Sequence, residues 1–256
     1  MTKNQFLLIG LLSFFLYGHG LNHAFGHEPG LSMIIYRVEH PPKIDGRLND
    51  VAWTSASRVE LTRTPRDEKL SGGLRTYVMA VYDNANVYFA FLNEDSHTGN
   101  LQSTLSEHDR DVCNEDCVSV SLEPGNTGKG PLFYVAMNPG NTTRDVWLPS
   151  KELRERIQNH EIPPELFPIA LAYTKGIDWE PKGLRTATQV NKTSWTVEIK
   201  ISFEDLFLSD APVNQTWGGN FIGHAVGWGD AWKTWSRPRG GFATNSEEFG
   251  DLIFEK

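Results

Sequence analysis

Apolar positions along this chain recur mostly at every second residue, in short runs broken by Gly, Pro, Asn and Asp. That is the period of strands with one buried face rather than of amphipathic helices. The clearest pair of runs is Leu74–Tyr82 and Val87–Leu92, separated by Asp83-Asn84-Ala85-Asn86. Both are rich in Val, Tyr and Phe, which suit a pleated, half-buried surface, and Asp and Asn bond their own backbone in turns. A β-hairpin over Leu74–Asp95 is predicted, with Val87, Phe89 and Phe91 on the face that packs against a second sheet. Leu184–Val190 and Trp195–Ile201 predict a second hairpin around Asn191-Lys192-Thr193-Ser194. Its second run sets Trp195, Val197, Ile199 and Ile201 against Thr196, Glu198, Lys200 and Ser202.

The same reading places strands at Met33–Val38, Arg58–Arg63, Val118–Leu122, Leu132–Met137, Thr143–Leu148, Trp217–Trp228 and Gly250–Phe254. Leu48, Val51 and Ala52 fit one helical turn that tucks Trp53 into the core. Lys151–Gln158 fits a short charged helix, and Phe203–Leu206 a single turn. Ser96–Asp111 is polar without a period and reads as a long connection. There is no alternation of strand and helix and no internal repeat. The predicted fold class is therefore all-β, a two-sheet antiparallel β-sandwich with short helical turns. Residues 27–256 are expected to form a single domain.

Composition narrows the function. A formal charge of −8 with no Lys/Arg cluster lacks the basic footprint of a nucleic-acid-binding protein. Lys3, the apolar run Phe6–Tyr17 and the small residues Ala24 and Gly26 read as a signal peptide over residues 1–26. Its apolar run is short for a membrane span of about 20 residues. The expected location is secreted or periplasmic, with no membrane attachment after cleavage.

Export permits a disulfide, and the chain has two cysteines, Cys113 and Cys117. In a straight strand they would stand about 13 Å apart at about 3.3 Å per residue. A disulfide needs their Cα atoms within about 7 Å, so the expected bond requires a tight loop. A zinc site of His108, Cys113 and Cys117 lacks a fourth ligand at recognisable spacing. Asp109, Asp111, Glu115 and Asp116 gather carboxylates that a calcium ion could collect, though not at EF-hand spacing. If cleavage exposes His27, its amino group and imidazole could join His40, His97 or His224 in a copper brace.

Catalytic motifs are missing: there is no Gly-x-Ser-x-Gly elbow, Gly-rich phosphate loop or His-Glu-x-x-His pair. The tryptophans say more. Five of the eight lie between residues 195 and 235, densest in Trp228-Gly229-Asp230-Ala231-Trp232-Lys233-Thr234-Trp235. Indole faces stack on sugar rings while nearby Asp, Asn and Arg bond the hydroxyls. The glycines around Trp228 predict a loop there, and Trp195 and Trp217 are expected in the core.

In order along residues 34–255, a set of marks resembles the family 9 carbohydrate-binding modules and their DOMON-like relatives. They are Ile44-Asp45-Gly46-Arg47-Leu48-Asn49-Asp50-Val51-Ala52-Trp53, Val81-Tyr82-Asp83 with Val87–Phe91, and Glu115-Asp116-Cys117-Val118. The strand Trp195–Ile199 with Phe203-Glu204-Asp205-Leu206, then Trp235-Ser236-Arg237-Pro238 and Glu248-Phe249-Gly250, complete the set. The resemblance implies a jelly-roll-like sandwich that binds polysaccharide or oligosaccharide without catalysis. It is commonly found beside glycoside hydrolases and sometimes carries structural calcium. In that family two tryptophans clamp a terminal sugar. Here Cys113 stands at the first position, Ser119 replaces the Glu of the following strand, and the second position offers only Phe242 and Ala243.

The expected sugar-binding residues are therefore Trp147, Trp232 and Trp235 with Arg144, Asp116 and Asp230. Two other readings stay open. One is a haem-binding electron-transfer domain with Met79 or Met137 as an axial ligand. The other is a scaffold or adhesion domain that has lost sugar binding.

Overall fold

The computed structural model describes residues 30–64, 74–163, 177–236 and 245–256. The signal segment, His27 and the Phe242-Ala243 position lie outside the described residues. Among the described residues the chain forms β1 (Ser32–Arg37), α1 (Val51–Ser55), β2 (Ser57–Glu60), β3 (Leu74–Tyr82), β4 (Asn86–Asp95), β5 (Cys117–Glu123), β6 (Leu132–Met137) and β7 (Thr143–Leu148). These are followed by α2 (Lys151–Gln158), β8 (Ile177–Asp178), β9 (Arg185–Val190), β10 (Ser194–Ser202), β11 (Thr216–Ala225), β12 (Ala231–Thr234) and β13 (Gly250–Glu255).

Both predicted hairpins are present, as β3–β4 and β9–β10. The first turn closes as its residues dictate: Asp83 Oδ1 accepts from the backbone N–H of Ala85 and Asn86 at 2.8 and 2.7 Å. The helical turn before Trp53 is α1, and Trp53 is buried.

Two features differ from an antiparallel pair of sheets. All thirteen strands join one sheet in the order β8-β7-β6-β5-β11-β13-β1-β3-β4-β10-β9, with β12 beside β11 and β2 beside β3. And β1 runs parallel to both its neighbours, β13 and β3. No tight turn fixes its direction: α1 and β2 intervene before β3, long enough for a parallel crossover.

The sheet curls strongly. β4 and β11 are four strands apart along it, about 19 Å if it lay flat at about 4.8 Å per strand. Yet Phe89 and Phe91 on β4 meet Phe221 on β11 with ring centroids 5.7 and 6.1 Å apart. The fold is thus a curled, mixed, mostly β structure with the main core inside the curl. Val87, Phe89, Phe91, Val120, Val197, Ile199, Trp217 and Phe254 all contribute to that core.

The opposite face of β3 and β4 is buried too. Met79, Val81, Tyr88 and Ala90 pack beneath Ala52 and Trp53. One residue fastens this cover. Glu198, on β10, is 0% exposed. Its Oε2 accepts from the backbone N–H of Asp45 and Gly46 at 2.9 and 2.8 Å, and its Oε1 from the Trp53 indole at 2.8 Å. Gly46 has φ 81°, and a Cβ there would stand 2.7 Å from the Thr188 backbone, so only glycine fits.

Lys233, on β12, is 2% exposed and donates to the Leu74 carbonyl. Burial pushes its ammonium down to about 8, against the pull of Glu60 and Asp95. Below that pH, lysine is charged in both the folded and unfolded chain, and folding bears the full cost of burying it. Between about 8 and the unfolded value near 10.4 the folded chain sheds its proton first, so stability rises with pH across that window. Urea unfolding of the wild type and Lys233→Met from pH 7 to 10.5 should show the wild type gaining up to about 3 kcal/mol relative to the variant, at about 1.36 kcal/mol per pH unit. A constant difference across the window would contradict this.

Candidate functional site

β11 and β12 form a hairpin with residues 226–230 at its tip. Gly229 and Asp230 both adopt the left-handed region, at φ 77° and 62°. This backbone reversal brings two half-buried indoles, Trp228 and Trp232, to one end of the curled sheet. Trp232 pairs across the strands with His224, and their rings stack at 3.9 Å with 11° between planes. Trp228 stacks on His97 at 4.4 Å and donates its indole N–H to Asp95 Oδ1 at 2.9 Å. Asp95 also lines an open groove of about 400 Å³ with Leu92, Glu94, Ser96, Thr193 and Ser194.

The tip leans on the loop that carries the disulfide. Cys113 and Cys117 are bonded, with Cα atoms 5.1 Å apart, as the tight-loop argument requires. His224 Nδ1 lies 3.1 Å from the Cys113 carbonyl and 2.9 Å from that of Glu115, so this nitrogen is a donor. Its Nε2 lies 2.6 Å from Asp230 Oδ1. The imidazole is thereby fixed from both sides and supports Trp232 rigidly. Breaking the disulfide should cost about 2 kcal/mol for so short a loop. It should also loosen the carbonyls that hold His224. Denaturant melts with and without reductant test the first effect; an unchanged midpoint would refute it.

Buried carboxylates set the rest of this end. Glu115 accepts from the backbone N–H of Thr104 and Leu105 at 2.9 and 3.1 Å and from the Thr104 hydroxyl. Burial works to raise its carboxyl, but these bonds hold it below the usual glutamate value. Asp116 accepts from Gln102 N at 2.7 Å and Val226 N at 3.1 Å, tying the long connection to the hairpin tip. There burial prevails, and the Asp116 carboxyl is pushed up.

Of the six residues anticipated for sugar contact, four gather around the disulfide loop. Trp232 and Asp230 are at the tip, Asp116 anchors it, and Arg144 pairs with Asp111 at 2.8 Å. The other two, Trp235 and Trp147, lie apart from this group. Trp235 is 4% exposed and packs against Phe221 at 5.2 Å, so it is core and offers no face to a sugar. The strand β12, read from the sequence as loop, turns alternate side chains to opposite faces and sends Trp235 inward. Trp147 meets Phe207 edge-on at 5.6 Å. Being an odd number of residues from Arg144 on β7, it lies on the other face of that strand. Asp116 is 2% exposed and acts as an anchor rather than a contact.

Other ligand readings change as well. Both cysteines are committed to the disulfide and supply no thiolate to zinc. Asp109 pairs with His108 at 3.1 Å and Asp111 with Arg144, while Glu115 and Asp116 bond backbone, so these four acids do not converge on a calcium ion. Met79 and Met137 are buried in separate cores on opposite faces, as packing residues. The sequence reading named His97 and His224 only for a copper brace and missed Asp95, since their contacts here join segments far apart in the chain and leave no local pattern.

No family model and no curated protein matches this sequence. Solved structures do. A family 9 carbohydrate-binding module from Caldicellulosiruptor kristjanssonii, in complex with cellotriose, superposes with a TM-score of 0.60 at 14% identity, covering 88% of this chain and 93% of that one. The same kind of module with glucose gives 0.56 at 15% identity, covering 86% and 95%. A candidate carbohydrate-binding protein from Bacteroides uniformis gives 0.61 at 12% identity, covering 88% and 99%. The curled sheet described above is accordingly the fold of the family 9 carbohydrate-binding modules.

Proposed function

We propose that this protein is an exported, non-catalytic, single-domain saccharide-binding module whose ligand rests on the β11–β12 tip. The observation that carries the reading is the Trp232–His224 stack braced by Asp230. A sugar ring would lie on the indole face turned away from His224. Asp230, 75% exposed at its side chain, would bond the hydroxyls. Trp228, with the neighbouring groove of Glu94, Ser96, Thr193 and Ser194, would take a second sugar of a chain. The neighbours bound to cellotriose and glucose support a β-linked glucan as the first ligand to try. A secreted or periplasmic location, beside glycoside hydrolases, belongs to the same proposal.

The test is retention on a panel of insoluble polysaccharides, with calorimetry against glucose and cello-oligosaccharides. Binding that quenches tryptophan fluorescence supports the reading. Folded protein that binds no member of the panel overturns it and leaves a scaffold role.

A further inference from the structure

Beside β7, an imidazole and two carboxylates meet that the saccharide reading does not use. His108 Nε2 lies 2.8 Å from Asp145 Oδ1, and its Nδ1 lies 3.1 Å from Asp109 Oδ2. One donor atom from each of the three residues lies within 4.8 Å of the others. The strand fixes this arrangement. Asp109 donates its backbone N–H to the Thr143 carbonyl at 3.0 Å and accepts from the Asp145 N–H at 3.4 Å.

Asp145 is the informative member. It is 2% exposed, and its Oδ2 is buried with no hydrogen-bond partner among the described residues. A buried carboxylate oxygen left without a donor is costly, and native structures usually meet it with a water or an ion. His108, 53% exposed at its side chain, leaves the outer side of the cluster open to solvent. Glu180 bears on both His108 and Asp145, adding negative potential.

We propose that His108, Asp109 and Asp145 form a site for a first-row divalent metal ion of zinc-like ligand preference. One ligand atom from each residue lies within 4.8 Å of the others, and ligands bound to zinc at about 2.1 Å in a tetrahedron stand about 3.4 Å apart, so small side-chain rotations would close the three around the ion. The imidazole decides the class of ion. Calcium and magnesium take oxygen donors, whereas a site of one imidazole and two carboxylates suits zinc, cobalt or nickel. Three protein donors leave a position for water. None of His108, Asp109 and Asp145 is a sugar contact in the reading above, so metal binding and sugar binding are tested separately.

The experiment uses the full chain, stripped of metal with chelator and then titrated. Zinc is followed by calorimetry and thermal melting, cobalt by its visible ligand-field bands, and calcium serves as comparison. One zinc per chain is expected, with cobalt bands and a raised melting temperature. His108→Ala and Asp109→Asn should each weaken zinc binding about 10-fold or more. Asp109→Asn keeps the side-chain shape and answers the question should the other variant fold poorly. Absence of zinc and cobalt binding by the folded wild type overturns the proposal. So does binding of calcium alone, or zinc binding unchanged in both variants, which would place the ion on another surface histidine.

Discussion

Replacing Glu198 with alanine is expected to destabilise the fold by about 4 kcal/mol, a large share of a typical domain's stability. The carboxylate satisfies three donors, two backbone N–H groups in the Asp45-Gly46 turn and the Trp53 indole. Without it each is left buried and unpaired, at about 1–3 kcal/mol apiece, offset partly by water entering the vacated space. The loss should spread beyond the site of change. Residues 44–56 cover Met79, Val81 and Tyr88, so a released loop exposes the outer face of β3 and β4. Glu198→Gln keeps one acceptor oxygen and presents an amide N–H₂ where an acceptor is needed, so about half the loss is expected. Urea unfolding with hydrogen exchange at Trp53 checks both. A Glu198→Ala protein within about 1 kcal/mol of wild type would show that the carboxylate is not the fastener.

The second large effect concerns binding. Trp232→Ala should reduce saccharide affinity about 30-fold, the worth of a stacking contact of about 2 kcal/mol. Asp230→Ala should lose affinity by removing both a hydroxyl partner and the brace on His224. Trp147→Ala provides the contrast: it trims packing against Phe207 and should leave affinity unchanged. Calorimetry on the three proteins, each shown folded by its melt, decides the matter. Equal losses in Trp232→Ala and Trp147→Ala, or a loss only in the latter, would move the ligand away from the tip.

Much of the architecture was legible because strand signals are local. The alternation in Trp195–Ser202 and Val87–Leu92, and the acids and amides of Asp83–Asn86, each specify their own element within a few residues. The parallel pairing of β1 was not legible, since it depends on where distant strands come to rest. β12 was hidden for a related reason: Trp228-Gly229-Asp230 reads as a turn, which it is, but four residues beyond it carry no period of their own. Its pairing with β11 alone decides that Trp232 faces out and Trp235 faces in. The site was half readable. Aromatic density pointed to the tip, whereas the partnership of His224 with the Cys113 and Glu115 carbonyls is made by chain segments more than a hundred residues apart. The motif around Asp45-Gly46 and the strand containing Glu198 looked like separate marks in sequence; in space they are the two halves of one hydrogen-bonded junction.

Several buried acids, Glu115, Asp116, Glu123 and Glu198, grip their loops chiefly through main-chain N–H groups. Any residue except proline supplies such a donor, so, apart from positions such as Gly46 where the backbone admits no side chain, the side chains of the gripped segments can drift in mutation while their paths are retained. Divergence can then redraw the outer surface of such a scaffold without dismantling it.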